Sequence, residues 1–173
     1  MDSWIFGYGS LMWQPAFPYE ERRKATLEGW VRRFWQGSID HRGVPDAPGR
    51  VVTLIRDPGG ECRGIAYRVT TESLPRVLER LDIREQGGYD RHVVELQLDG
   101  GLSAESVLYV ANDANPNFLG PARVSEIADQ IRRSHGPSGS NLDYLLRLHE
   151  ALTQMGVVDL HVHELVSELA TVR

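Results

Sequence analysis

The sequence predicts an α+β protein in which helices pack on a curled sheet or small barrel. Up to about residue 111, the chain has short apolar runs of β type separated by Gly, Pro and Asp. After Pro116 the apolar residues recur at helical spacing instead. Strands followed by helices are typical of an α+β arrangement. The 173 residues contain no internal repeat and no long linker, so we expect one domain over residues 1–173.

The predicted strands lie in the first part of the chain. A short apolar stretch at Trp4-Ile5 predicts the first of them. Four more are predicted at residues 51–55, 64–69, 92–98 and 106–110. The turn signal Pro58-Gly59-Gly60 separates the run at 51–55 from the run at 64–69. The run Glu20–Lys24 carries charges of both signs, and we interpret it as a solvated helix face.

One helix is predicted among the strands, and three more follow them. The first begins near Thr71 or Ser73, has Pro75 in its first turn and carries Val77, Leu78 and Leu81. The later three are predicted by apolar stripes at helical spacing: Val124, Ile127, Ala128 and Ile131; Leu142, Leu145, Leu146 and Leu152; and Val162, Leu165, Val166 and Leu169. Such stripes usually face a core, so no chemistry is assigned to them.

The balance of charge limits the classes of partner. The net charge is −5, whereas a general nucleic-acid surface needs an excess of basic residues. No apolar run approaches the length of a membrane span, and the N-terminus lacks a basic segment followed by an apolar core. We therefore expect a cytoplasmic protein with no nucleic-acid and no membrane partner.

Metal and nucleotide chemistry have little support in the sequence. Cys62 is the single cysteine, so neither an intrachain disulfide nor a thiolate metal cluster is possible. It stands beside the predicted turn and is interpreted as incidental, with a catalytic thiol as the alternative. His161 and His163 form a His-x-His pair, but no third ligand stands at a spacing typical of zinc sites. The chain also lacks a Walker lysine motif and a full dinucleotide fingerprint.

The run Phe6-Gly7-Tyr8-Gly9-Ser10-Leu11-Met12-Trp13 directly follows the first strand. Its glycines allow the backbone to turn and a ligand to approach the peptide groups closely. Successive backbone N–H groups in such a turn form a concavity suited to a carboxylate or phosphate. The alternative is a tight turn that binds nothing, because a lone Gly-x-Gly is weak evidence.

A second informative run, Leu81-Asp82-Ile83-Arg84-Glu85-Gln86-Gly87-Gly88-Tyr89, ends the first helix and returns the chain to a strand. Acid, Arg and acid before Gly-Gly are compatible with a plain helix C-cap and solvated charges. A carboxylate at this junction is equally well placed to point into a sheet cavity. There Glu85 would be suited to proton transfer.

The loop at residues 37–50 is polar and contains two prolines. It is interpreted either as the rim of a site for a polar substrate or as a surface loop held by its own ion pairs. Asp40 and His41 resemble part of a nucleophilic relay with Ser38. We discount that relay, because Ser38 lacks the strand–turn–helix setting with Gly-x-Ser-x-Gly spacing.

The fourth segment, residues 136–144, combines turn signals with a helix start. Ser140 and Asp143 form an approximate capping box. Asn141 and Tyr144 are then expected one turn apart at the same helix end. They either face a ligand or simply begin the helix.

Six of these segments occur together and in order, at residues 6–13, 37–43, 48–54, 64–69, 84–89 and 136–145. Together they resemble the ChaC family of γ-glutamylcyclotransferases, in the branch that acts on glutathione. The resemblance runs from about Ile5 to Leu165. Asp143 stands where the family has Glu about as often, a change that keeps the charge.

The resemblance implies a small mixed β-barrel with packed helices and a reaction without metal or organic cofactor. That reaction cleaves the γ-glutamyl amide of glutathione to 5-oxoproline and cysteinylglycine through attack by the substrate's own α-amine. The catalytic glutamate of the family falls on Glu85, which would serve as general base and then acid. The substrate-binding residues implied are Gly7, Tyr8, Gly9, Ser10, Leu11, Met12, Tyr89 and Tyr144. Alternatives are a cyclotransferase for other γ-glutamyl amines or amino acids, and a non-catalytic module that binds γ-glutamyl ligands.

Overall fold

The computed structural model describes residues 3–85 and 87–171. Its main strands are β1 Ser3–Gly7, β2 Glu21–Ser38, β3 Gly49–Val69, β4 Asp90–Leu98 and β5 Leu102–Val110. They form a closed barrel in the order β1-β3-β2-β4-β5. The helices are α1 Leu74–Arg84, α2 Val124–Arg133, α3 Asn141–Gln154 and α4 Leu160–Thr171, with a short 3₁₀ helix at Ser10–Met12. The α+β prediction with a small barrel is confirmed.

The pairing within the barrel is mostly antiparallel. Strand β1 runs antiparallel to β3, with Gly7 opposite Ile65, and parallel to β5, with Ile5 opposite Val107. Strand β4 is antiparallel to β5 along its whole length and to β2 at Ala25. A separate two-stranded sheet is formed by β6 His135–Gly136 and β7 Gly139–Ser140.

Clustering of contacts divides the chain into two compact units. The first takes the residues up to Val31 and Leu54–Pro116, and the second takes Arg32–Thr53 and the residues from Asn117 onward. Large buried side chains of the first unit include Ile5, Phe6, Leu54, Ile65, Tyr67, Leu96 and Leu108. Those of the second include Phe34, Ile127, Ile131, Leu145, Leu148, Val162 and Leu165. The expectation of one domain over residues 1–173 stays a prediction.

The predicted helices are confirmed, with one correction. Ser73 occupies the N-cap position of α1 without a capping hydrogen bond from its side chain, and Pro75 lies in the first turn, as the sequence indicates. The buried faces of α2 and α4 match the predicted stripes at Ile127, Ile131 and Leu165. Leu146, by contrast, is 47% exposed and not part of the core. The buried face of α3 instead continues from Leu145 to Leu148 and Leu152, three and seven residues on, as helical geometry requires.

The predicted turn at Pro58-Gly59-Gly60 is wrong, because these residues lie inside the continuous strand β3. Gly60 serves close packing: a Cβ there would lie 2.4 Å from Cγ1 of Val31. Cys62 is consequently buried within the strand and not placed at an exposed turn.

The predicted helix face at Glu20–Lys24 is also wrong, because Glu21 begins β2. Exposure alternates with period two along this segment, with Arg22 and Lys24 exposed between partly buried neighbours. Glu21 pairs with Arg23 on the same strand and with Arg68 on β3. The charge pattern therefore belongs to a strand with one inward face.

Within residues 3–85 and 87–171, we find no helix that combines the length and the apolar character needed to span a membrane.

Candidate active site

The glycine-rich turn follows β1 directly and belongs to the first unit. Its 3₁₀ helix is closed by the N–H of Met12, which donates to the carbonyl of Gly9 at 2.9 Å. The N–H of Gln14 donates to the carbonyl of Ser10 at 2.8 Å. Within the described part of the chain, the N–H groups of Ser10 and Leu11 donate no hydrogen bond. Two neighbouring backbone donors are therefore available to an anionic group.

Close packing holds this turn in place. A Cβ at Gly7 would lie 2.8 Å from Cβ of Leu11, so only glycine lets the turn fold back on the strand end. The hydroxyl of Tyr67 donates to the carbonyl of Leu11 at 2.6 Å and lies 3.2 Å from that of Met12. Burial raises the pKa of Tyr67 to about 12, so this hydroxyl keeps its proton and donates.

The side chains of the turn point partly into the core. Tyr8 is 7% exposed, and its hydroxyl donates to the carbonyl of Tyr109 at 2.7 Å. The side chain of Met12 is also buried. The side chains of both residues are thus part of the core, and a binding role for either residue stays a prediction.

Glu85 stands at the C-terminal end of α1, in the same unit. Its N–H donates to the carbonyl of Leu81 at 2.8 Å, and it caps the helix with φ −98° and ψ 20°. The side chain is 20% exposed, between the extremes of a core residue and a solvated surface charge. Its backbone conformation departs from that of the α-helix.

Arg84 joins Glu85 to the glycine-rich turn. Its Nη2 donates to Oγ of Ser10 at 2.6 Å, and its Nη1 donates to the carbonyl of Gln14 at 3.4 Å. Its Nε lies 3.7 Å from Oε1 of Glu85. A carboxylate, a guanidinium and a turn with two available N–H groups thus meet in one place. Carboxylates take up and release protons, and the N–H groups stabilise negative charge.

Tyr89 directly follows Gly87 and Gly88, after the end of α1, and is half-buried. Its N–H lies 3.4 Å from the carbonyl of Glu85. Gln86, between Glu85 and the glycines, lies outside the described residues. The sequence motif at residues 84–89 therefore brings Glu85 and Tyr89 to the same end of α1.

Three residues that support this site were not identified from the sequence as functional. Tyr67 holds the glycine-rich turn, as described above. Asn115 donates to the carbonyls of Gly87 and Gly88, each at 2.7 Å. The hydroxyl of Tyr109 donates to Oδ1 of Asp82 at 2.6 Å, and burial together with this bond raises the pKa of Tyr109. In the sequence, Asn115 is marked by the Asn115-Pro116 turn signal, and Tyr67 lies within the segment 64–69 that contributes to the family resemblance.

Tyr144 belongs to the second unit and is described there. Its side chain is 5% exposed and meets the ring of Phe34 edge-on at 5.9 Å between centroids. The N–H of Val52 lies 3.4 Å from its hydroxyl oxygen. A role for Tyr144 in lining the pocket stays a prediction.

Asn141, one turn earlier, is fully buried and bridges α3 to β3. Its Oδ1 accepts from the N–H of Arg50, and its Nδ2 donates to the carbonyl of Arg50, both at 2.7 Å. One bond of the predicted capping box is present, because Oγ of Ser140 accepts from the N–H of Asp143 at 3.1 Å, while Oδ2 of Asp143 accepts from Arg42 and Arg147. For Asn141 this favours the structural alternative of a helix start.

The loop after β2 shows no Ser-His-Asp relay. Oγ of Ser38 accepts from the N–H of Arg42 at 2.9 Å, while Nδ1 of His41 lies 3.2 Å from Oγ of Ser138. Asp40 is 3.9 Å from the far side of the His41 ring. These bonds serve the loop itself.

Arg42 anchors that loop to the start of α3. It is 8% exposed, and its Nη1 donates to the carbonyl of Ser140 and to Oδ2 of Asp143, each at 3.0 Å. Burial of Asp143 opposes its ionisation, but the hydrogen bonds from Arg42 and Arg147 outweigh this, so the pKa of Asp143 is lowered. An ion-paired loop of this kind is the structural alternative noted for residues 37–50.

Across residues 3–85 and 87–171, no three His, Cys, Asp or Glu side chains are grouped so that they could hold a metal ion.

Comparison with known proteins places this arrangement in a family. The model of the family described as ChaC-like protein matches residues 3–172. Gamma-glutamylcyclotransferase 2-3 of Arabidopsis thaliana is 42% identical over 177 residues, which cover 98% of this chain and 89% of the plant protein. Glutathione-specific gamma-glutamylcyclotransferase 1 of Homo sapiens is 43% identical, covering 97% of this chain and 78% of the human protein.

Solved structures agree with the sequence matches. The crystal structure of a yeast γ-glutamylcyclotransferase specific to glutathione superposes with a TM-score of 0.92 at 33% identity, over 99% of this chain and 97% of the yeast chain. A second solved γ-glutamyl cyclotransferase, at 18% identity and a TM-score of 0.51, shares the fold. The family model, the curated relatives and the yeast structure each span nearly all of this chain, and the chain therefore belongs to the ChaC-like family.

Proposed function

We propose that this protein is a γ-glutamylcyclotransferase that converts glutathione to 5-oxoproline and cysteinylglycine. Relatives from Homo sapiens and Escherichia coli, 43% and 36% identical over nearly the whole chain, are named as glutathione-specific γ-glutamylcyclotransferases. The observation that carries the proposal is the meeting of Glu85, Arg84 and Ser10 beside two available backbone N–H groups. No enzyme nucleophile is required, because the attacking amine belongs to the substrate.

The proton balance of the reaction requires a base, and the family resemblance gives this role to Glu85. The α-ammonium group of the substrate carries three protons, and the lactam nitrogen of 5-oxoproline keeps one. Two protons therefore pass to the departing nitrogen, which leaves as the α-ammonium group of cysteinylglycine. Glu85 removes the first proton so that the amine can attack the γ-carbonyl carbon, and it passes this proton to the departing nitrogen as the amide C–N bond breaks. It transfers the second proton, from the nitrogen that has formed the new bond, in the same way. Water is neither consumed nor released.

The glycine-rich turn has a binding role in this proposal. The N–H groups of Ser10 and Leu11 hold the α-carboxylate or stabilise the oxyanion that forms on the γ-carbonyl. Holding the glutamyl chain folded brings the amine close to the carbonyl it must attack, and such positioning contributes much of the rate enhancement. Tyr89 borders the same site, and Tyr144 is included as a lining residue by family resemblance alone.

Incubation of the purified protein with reduced glutathione tests the proposal directly. We expect 5-oxoproline and cysteinylglycine in equal amounts, measured by mass spectrometry. If 5-oxoproline is released from other γ-glutamyl amines but not from glutathione, the protein is a cyclotransferase for those substrates. Binding of glutathione without any product would instead indicate a non-catalytic module.

The Glu85→Gln variant tests the assigned base. The amide keeps the shape of the side chain and loses its proton-transfer function, so we expect turnover to fall by at least about 100-fold. Glu79→Gln is the matched control, because Glu79 is exposed on the same helix. Appreciable turnover by Glu85→Gln, with both variants folded by circular dichroism, would overturn the role of Glu85.

We also propose a cytoplasmic location without nucleic-acid partners. The net charge of −5 supports the absence of nucleic-acid partners, because a surface that binds nucleic acid generally needs an excess of basic residues. Cell fractionation with antibody detection is the corresponding measurement.

A further inference from the structure

Asn115 lies in the segment after β5, and its side-chain amide donates two hydrogen bonds to the turn at Gly87 and Gly88, which follows α1. It is 6% exposed, and its Nδ2 donates to the carbonyls of Gly87 and Gly88, each at 2.7 Å. A primary amide has two N–H donors in fixed directions. Two consecutive carbonyl groups are thereby held by one buried side chain, which is a stronger restraint than a single hydrogen bond.

The glycine facing Asn115 is shaped to accept it. Gly88 has φ +89°, a conformation that other residues rarely adopt, and a Cβ at this position would lie 2.6 Å from Nδ2 of Asn115. Gly87 differs from Gly88 in this respect, since a Cβ there would meet nothing within 4 Å. The close approach of Asn115 is therefore specific to Gly88.

This restraint bears on Glu85 through the backbone. The N–H of Glu85 makes a helical hydrogen bond to the carbonyl of Leu81, and the φ and ψ of Glu85 already depart from the helix. The N–H of Tyr89, directly after Gly88, lies 3.4 Å from the carbonyl of Glu85. The carbonyl of Glu85 thus contacts the residue that directly follows the two glycines bonded to Asn115.

We propose that Asn115 is a positioning residue that fixes the direction of the Glu85 carboxylate by holding the carbonyls of Gly87 and Gly88. This role rests on the proposed function and extends it. A displacement of a reacting group by about 1 Å can cost up to about 100-fold in rate. The glycine-rich turn, by contrast, is held by Tyr67 and Arg84, so substrate binding does not depend on Asn115.

The first test is Asn115→Asp, which keeps the shape and replaces both donors with a carboxylate facing two carbonyl oxygens. We expect kcat for 5-oxoproline release to fall about 10- to 100-fold while KM for glutathione changes less than about threefold. Asn112→Ala is the matched control. The side chain of Asn112 donates to Asp90 and accepts from the N–H of Ala114, so it lies in the same loop as Asn115. These hydrogen bonds do not involve the carbonyls of Gly87 and Gly88.

The second test approaches the same contact from the other side. We expect Gly88→Ala to lower kcat as Asn115→Asp does, and Gly87→Ala to leave kcat closer to that of the wild type. The double variant Asn115→Asp with Gly88→Ala should be little worse than either single variant, because both remove one interaction. Fully additive losses would show two independent effects and contradict the proposal.

Hydrogen exchange supplies a readout that does not need activity. Peptides covering residues 85–90 should exchange faster in Asn115→Asp than in the wild type, and faster than in Asn112→Ala. Unchanged exchange and unchanged kcat in Asn115→Asp would overturn the proposal, as would equal losses of kcat in Asn112→Ala. If wild-type protein releases no 5-oxoproline, the proposed function fails and with it the kinetic role of Asn115. Exchange then still decides whether Asn115 holds the turn.

Discussion

Arg84 connects the proposed base to the proposed binding turn with a single guanidinium group. It donates to Ser10 and Gln14 and lies 3.7 Å from the carboxylate of Glu85. Planar guanidinium groups suit such sites because their donors are fixed in direction and always charged. The sequence alone is compatible with Arg84 as a solvated charge, whereas in the structure it contacts both the glycine-rich turn and Glu85.

We predict that Arg84→Gln raises KM for glutathione and lowers kcat/KM by roughly tenfold or more. Loss of a charge-assisted hydrogen bond costs about 1.5–3 kcal/mol, and 1.4 kcal/mol corresponds to a factor of ten. Steady-state kinetics on glutathione provide the measurement. Arg80→Gln is the control, because Arg80 is exposed on the same helix. Equal kinetics for the two variants would exclude a role for Arg84.

Strands β1 and β3 show how an element positions the site. The glycine-rich turn emerges from β1 at Gly7, and Gly7 lies opposite Ile65 on β3. Next to that pair, a Cβ at Gly64 would lie 2.4 Å from the carbonyl oxygen of Gly7 and 2.8 Å from Cζ of Phe6. The two backbones can approach this closely only because position 64 has no side chain.

We predict that Gly64→Ala destabilises the protein by about 1–3 kcal/mol, the usual cost of overpacking. It should also reduce turnover, because the displaced end of β1 carries the glycine-rich turn. Urea unfolding gives the free energy and the glutathione assay gives the activity. Gly59→Ala on the same strand is the control, since its Cβ would meet nothing closer than 3.9 Å and should change stability by less than about 1 kcal/mol. Equal effects of the two substitutions would contradict this account.

At the scale of the whole molecule, stability is expected to depend on pH through His161. The N–H of Phe34 donates to Nε2 of His161 at 3.0 Å, which requires that nitrogen to be unprotonated. Burial first, and then the positive charge of Arg33, lower the pKa of His161 to about 4. The folded protein therefore keeps a neutral imidazole at a pH where the unfolded chain binds a proton.

The direction of the pH effect follows from these two pKa values. Above about pH 6.5 neither state is protonated at His161, and its contribution to stability is constant. As the pH is lowered from about 6.5 to about 4, the unfolded chain takes up the proton before the folded protein does. The free energy of unfolding therefore decreases over this range, by at most about 3 kcal/mol. Urea titrations at pH 7 and pH 5 measure the loss, which should be smaller in His161→Gln. If His161→Gln loses as much unfolding free energy between pH 7 and pH 5 as the wild type, the pH dependence comes from other groups.

Local sequence patterns predicted several elements correctly. Helix α1 begins where Ser73 and Pro75 indicate, and the stripe through Ile127 and Ile131 faces the core. Both depend on periodicity and capping within a few residues. The charged start of β2 and the Pro-Gly-Gly segment within β3 were misinterpreted, because pairing across the sheet there outweighs local propensity.

The sequence by itself determined that a strand-rich part precedes three helices, and it determined the glycine-rich turn and the family resemblance that singles out Glu85. These depend on residue types at short spacing, which a linear pattern records. Only the tertiary structure decided that Arg84 reaches Ser10, 74 residues away, and that Asn115 holds Gly87, 28 residues away. Such contacts form when the packed elements bring distant donors and acceptors within about 3 Å, a condition that no local pattern of residues specifies.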